Sequence, residues 1–178
     1  MRSIFLTVFL LVCFAGGAQV DDFQKDIIKY LNVNGTQQQY DQAYDEMFVV
    51  LRKNFENASV PESVWSDMKK DKAESLKEIT EFLTFAYRKH FTRDEIGEMY
   101  TFYKTAAAQK MMKQDMGPLT EKENVQIALY FESAVAQKVE ATLPALSEDI
   151  SEISGHWSRD LFAGKMKELL KLGYVPEQ

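Results

Sequence analysis

HFTRDEIGEMYTFYKTAAAQKMM, residues 90–112, contains two helix starts in one short run. Thr92 is an N-cap residue and Glu95 follows three positions later, the spacing of a capping box, while Phe91 and Ile96 flank the start as a hydrophobic staple. Ile96, Met99, Tyr100 and Tyr103 then recur at helical spacing on one face, and Phe102 lies roughly 60° beyond Met99. Lys104 and Thr105 interrupt that helix. Thr105 caps a shorter one through about residue 115, with Ala108, Met111 and Met112 turned inward. Two consecutive helices with no strand alternation between them make this an α-helical chain, and the reading extends outward from there.

Toward the N-terminus, residues 22–32 predict a first helix that ends at the turn NVNGT. A second, over about 37–56, places Tyr40, Tyr44, Met47, Phe48, Leu51 and Phe55 on one stripe. Ser59 and Glu62 have capping-box spacing around Pro61, and Trp65 follows on a brief element. A long helix over about 70–90 presents Leu76, Ile79, Leu83, Ala86, Tyr87 and His90, with Phe82 and Phe85 widening the face enough for two neighbours. Toward the C-terminus, Gly117 and Pro118 stop the chain, and Thr120 with Glu123 caps a helix over about 121–143. Apolar residues nearly encircle it, so it is expected to be the central buried helix. Pro144 is expected to kink or restart the chain and Ser154-Gly155-His156 to break it again, before a last helix stopped by Gly173. The expected architecture is an all-α, compact bundle of about six to eight helices.

The first residues, MRSIFLTVFLLVCFAGGAQV, read as a secretory signal peptide: Arg2, an apolar run from Ile4 to Phe14, and small residues Gly16 and Ala18 before the cut. The run is well short of the roughly 20 residues that span a bilayer. Cleavage after Ala18 leaves a single helical domain over 19–178, exported to the periplasm or beyond. It also removes Cys13, the single cysteine, so the mature domain is expected to hold no disulfide and no thiolate ligand. The chain carries 21 Lys and Arg against 27 Asp and Glu, a net charge of −6, which argues against nucleic-acid partners. No later apolar run approaches transmembrane length.

The residues offer little catalytic chemistry. Two histidines, His90 and His156, and no HExxH leave a transition-metal site without ligands. No GxSxG elbow, phosphate loop or GxGxxG occurs, and neither cofactor nor catalytic residue is assigned. Glu132 falls mid-stripe among Ala128, Leu129, Val135 and Ala136, where burial would demand a cation, a hydrogen-bond donor or a proton. Lys110 is a candidate partner for it. His90 reads as a packed residue at a helix C-terminus, Trp65 and Trp157 as packing anchors. The sequons at Asn34 and Asn57 matter only in a eukaryotic secretory pathway.

Residues 87–112 resemble a bacterial exported family catalogued as domain of unknown function 2059, through an HFT-like helix start and a following FYxS/TPxGxK-like stretch. The matching residues are His90, Phe91, Thr92, Glu95, Phe102, Tyr103, Thr105 and Lys110. The resemblance covers about residues 75–142. Ala106 stands where the family has proline and Ala108 where it has glycine; alanine keeps the helix in the first case and adds one methyl in the second. The resemblance implies an exported protein and no particular activity. Three functions are therefore expected in order: a non-enzymatic module that binds an envelope protein or an apolar ligand, a hydrolase using Glu132 and His90, and a self-associating module that pairs through residues 157–170.

Overall fold

The computed structural model describes residues 21–113 and 117–176; the signal-peptide reading of residues 1–18 lies outside them. All regular structure among the described residues is helical. In chain order the helices are α1 (Asp22–Val33), α2 (Thr36–Asn54), a 3-10 turn (Glu56–Ala58), α3 (Glu62–Met68), α4 (Lys72–His90), α5 (Arg93–Tyr103), α6 (Ala106–Met112), α7 (Glu121–Phe131) and α8 (Ala134–Lys171).

The caps read from the sequence set most of these boundaries. Thr92 accepts from the Glu95 amide and Glu95 reaches back to the Thr92 amide; Thr120 and Glu123 repeat the arrangement at α7. Each such cap stabilises its helix by about 1 kcal/mol. Phe91 and Ile96, the expected staple, are both buried in the core. Thr105 caps α6 through the Ala108 amide. Gly35, at φ +90°, makes the sharp turn between α1 and α2. Gly173, also at φ +90°, closes α8, and the amides of Gly173 and Tyr174 return to the carbonyls of Leu170 and Leu169.

The proposed cap at Ser59 is not formed. Ser59 sits in the left-handed region at φ 50° as it leaves the 3-10 turn, so Pro61 takes the N-cap place without a side-chain bond. Glu62 instead holds Arg52 through two hydrogen bonds of 2.8 and 2.5 Å.

The core joins the N-terminal half of the chain to its C-terminal helix. α1 packs against α5, α4 and α2, and α4 packs against α8. Ile27, Leu31, Tyr44, Leu51, Ile79, Ile96 and Leu169 are completely enclosed. Tyr30 meets the rings of Tyr87 and Tyr103 edge-on, each at 5.6 Å, an arrangement that suits the ring quadrupoles.

Two expectations about the C-terminal half are corrected. Residues 121–143 are not one central buried helix: α7 ends at Phe131 and contains no buried residue, with Val125, Leu129 and Phe131 more than half exposed. Ser133, with extended backbone angles, caps a new helix by accepting from the Ala136 amide. That helix, α8, then runs unbroken through Pro144 and Ser154-Gly155-His156 to Lys171. Pro144 lies on an exposed stretch, where solvent reaches the carbonyl that loses its partner. Within the helix the Ser154 hydroxyl donates to the Ile150 carbonyl at 2.6 Å and pairs with the Tyr40 hydroxyl at 2.5 Å, which ties α8 to α2 at this point.

Candidate functional site

The residues singled out by the sequence do not converge on one site. They fasten helices. His90 is half-buried at the end of α4, where Nε2 meets Asp149 of α8 at 2.6 Å, and Lys89 holds the other oxygen of the same carboxylate. These contacts, Lys89 first, keep the Asp149 carboxyl below its ordinary pKa. Glu95 caps α5 and binds Lys138 of α8 through both oxygens, at 2.7 and 2.6 Å. Phe102 stacks on Tyr130 of α7 with centroids 3.7 Å apart, which buries it more fully than Tyr100 or Tyr103. Thr105 and the enclosed Ala108 form the tight α5–α6 joint.

Lys110 binds Glu123, at 2.9 Å, rather than Glu132. The Thr120 amide and then the Lys110 ammonium hold the Glu123 carboxyl down to about 2. Glu132 itself is the exposed C-cap of α7, so no burial demands a cation. Its backbone break at Ser133 is what moved it off the apolar stripe. From the start of α8 to Asp149, the partner of His90, is about 22 Å of helix, so Glu132 and His90 cannot share a substrate bond.

The residues named for self-association mostly face the chain's own core. Trp157 and Leu169 are buried, and Leu161, Phe162 and Met166 pack on the core cluster; Leu170 alone of the six is exposed.

What the sequence reading missed is a groove between α4 and α8, about 720 Å³ in volume and open to solvent on one side. α4 contributes Ser75, Glu78 and Phe82, with Asp71 just before it; α8 contributes Ile153, Trp157, Asp160, Leu161, Gly164 and Lys165, among others. The two helices run antiparallel, since Asp71 meets Lys165 and His90 meets Asp149. Phe82 is 48% exposed, presenting its ring to the groove instead of a neighbouring helix. This corrects the expectation that Phe82 and Phe85 lie between packed neighbours; Phe85 is 62% exposed. The Trp157 indole forms part of the wall, fixed by donation from Nε1 to the Ser75 hydroxyl at 3.1 Å and by an edge-on contact with Tyr40.

At one end of the groove lies a charged cluster. The ammonium of Lys165, almost wholly buried, donates to the Met68 carbonyl at 2.7 Å and to Asp71 Oδ2 at 2.6 Å. The Tyr44 hydroxyl donates to the other oxygen of Asp71 at 2.7 Å. Burial pushes the Asp71 carboxyl up, but the bonds from Lys165 and Tyr44 outweigh it and leave the pKa lowered. Burial together with the bond to Asp71 pushes the Tyr44 phenol well up. The signal for this cluster was available in sequence: Lys165 is the one cation on the stripe running from Leu161 to Leu169.

Among the described residues no group of three or more His, Cys, Asp or Glu side chains is placed to hold a metal, and no helix is long and apolar enough to cross a membrane. Residues 76–115 match the model of a family described as an uncharacterized protein conserved in bacteria, domain of unknown function 2059. The matched span covers most of α4 and all of α5 and α6. Neither the curated proteins nor the solved structures contain a match.

Proposed function

We propose that this chain is an exported, non-enzymatic binding module whose ligand surface is the α4–α8 groove. The observation that carries the reading is the groove itself, which pairs an exposed aromatic ring and an anchored indole edge with a volume in the range of ligand sites. Within the groove the half-exposed Phe82 ring, Ile153, Leu161 and the Trp157 indole edge line one concave surface, the combination of an apolar wall with a few polar groups that ligand sites use. The polar groups at its Lys165 end are already bonded to one another, so they hold the wall in place without needing a ligand.

Gly164 allows a clean test. It lines the groove, and a Cβ added there meets nothing within 4 Å. Gly164→Phe should fill the space while leaving the fold intact, and replacing a helical glycine favours the helix by up to about 1 kcal/mol. Three acetylated, amidated hexapeptides in which leucine alternates with lysine, glutamine or glutamate serve as probes, followed through Trp157 fluorescence in a Trp65→Phe background. Saturable binding of at least one peptide to the parent and its loss in Gly164→Phe is the expected result. If none binds, or if Gly164→Phe binds equally well, the groove is not the ligand surface.

The exported location rests on the first eighteen residues. Expression of the full chain in a Gram-negative host should yield a soluble periplasmic product whose mass begins at Gln19. A cytoplasmic product retaining Arg2 and the apolar run would overturn that part of the reading.

A further inference from the structure

We infer that the groove is built for a basic polypeptide segment, with a lysine or arginine head held between Glu78 and Asp160 and apolar neighbours laid on Phe82 and Leu161. The inference rests on the groove being the binding surface and adds the chemistry of its occupant. Its ground is an imbalance of charge within one cavity. Asp71, Glu78, Asp160 and Glu168 all line it, against Lys165 and His156. Lys165 is spoken for by Asp71 and the Met68 carbonyl, and the His156 ring accepts from Arg159 at 3.1 Å. Asp71 is likewise engaged, by Lys165 and Tyr44.

Glu78 and Asp160 are different. One stands on each wall, and the side chain of neither has a hydrogen-bond or ion-pair partner among the described residues. Two unpaired carboxylates facing one space repel an anion and leave a cation with two acceptors. Beside them the exposed Phe82 ring supplies an apolar face and a π surface, both suited to the stem and head of lysine or arginine. The shape favours a polypeptide over a compact ligand. From Asp71 to Phe82 the groove follows α4 for about 16 Å, the length of about five extended residues, and it is open along its side so that a chain can enter and leave.

The three hexapeptides separate this inference from the reading beneath it. The lysine peptide should bind about tenfold more tightly than the glutamine peptide, and the glutamate peptide most weakly. The preference should shrink as salt is raised. In Glu78→Gln/Asp160→Asn the lysine and glutamine peptides should bind alike. A control with the same change in net charge but away from the groove, Glu121→Gln/Glu140→Gln, should keep the tenfold preference. If all three peptides bind the parent equally and Gly164→Phe abolishes binding, the basic-segment inference falls while the groove reading stands. A lysine preference that survives Glu78→Gln/Asp160→Asn, or is lost equally in the control, also overturns it. Absence of any binding removes the groove reading itself.

Discussion

Trp157→Ala should lower the free energy of unfolding by about 3–5 kcal/mol, measured by urea titration, while Leu129→Ala should change it by less than about 0.5 kcal/mol. Trp157 is packed in the core, its indole N–H bonded to Ser75 and its ring against Tyr40. Truncation removes a large contact area and leaves a cavity between α2, α4 and α8. Leu129 is 63% exposed on α7, a helix with no buried residue. Against a total stability of about 5–15 kcal/mol for a domain of this kind, the first change consumes a large share and the second almost none. Equal losses would mean that α7 is buried after all, as its apolar sequence suggested. The same packing bears on tests of self-association: deleting residues 155–178 would strip Trp157, Lys165 and Leu169 from the core and unfold the chain, so oligomeric state has to be measured on the intact protein.

The two regions differ in how legible they were. Caps are local: Thr92 with Glu95, and Thr120 with Glu123, involve residues three apart, and the structure forms both boxes as their spacing predicts. The stripe of α2 was equally plain, because Tyr44, Phe48, Leu51 and Phe55 repeat at helical intervals and all are enclosed. The failures came where periodicity had to be converted into burial. Val125 and Leu129 are as apolar as any core residue, yet α7 packs mainly on its chain neighbours α6 and α8 and leaves them in solvent. Pro144 and Gly155 looked like breaks because propensity disfavours both inside helices, but α8 continues through both and is held by contacts with α2, α4 and α5. Tertiary packing outweighed local preference.

The candidate site was less legible than the fold, for a related reason. Its lining on α4 ends at Phe82 and its lining on α8 begins at Ile153, far along the chain, and no spacing within either helix announces a space between them. His90 and Glu132 attracted notice as rare residue types on apolar stripes. The structure uses one as a tie to Asp149 and leaves the other in solvent. Gln109 shows the opposite case, an unremarkable residue whose amide donates to the carbonyls of both Val33 and Tyr103, at 2.8 and 2.6 Å, fastening the end of α1 to the α5–α6 joint.

Asp71→Ala should destabilise the protein by about 2–3 kcal/mol, more than the roughly 1 kcal/mol expected for Lys165→Met. The two partners are unequally placed. The Lys165 side chain is 8% exposed and that of Asp71 52%, so removing the carboxylate leaves a desolvated ammonium with the Met68 carbonyl and the more distant Glu168 carboxylate, at 3.8 Å, as its remaining partners. Removing the ammonium leaves a carboxylate that water already reaches and that Tyr44 still holds. The double variant should be less damaged than the sum of the singles, by about 1–2 kcal/mol. The effect carries a pH signature. The Asp71 carboxyl lies below its unfolded value in the folded chain, so its contribution is fully present above about pH 4 and is lost as pH falls through the lower, folded value. The gap in stability between the parent and Asp71→Ala should therefore hold steady from neutral pH down to about pH 5 and narrow below about pH 4. A gap that stays constant to pH 3 would show that Asp71 acts through packing alone. A larger loss for Lys165→Met than for Asp71→Ala would show that the Met68 carbonyl, and not the buried charge, is the group that most needs its partner.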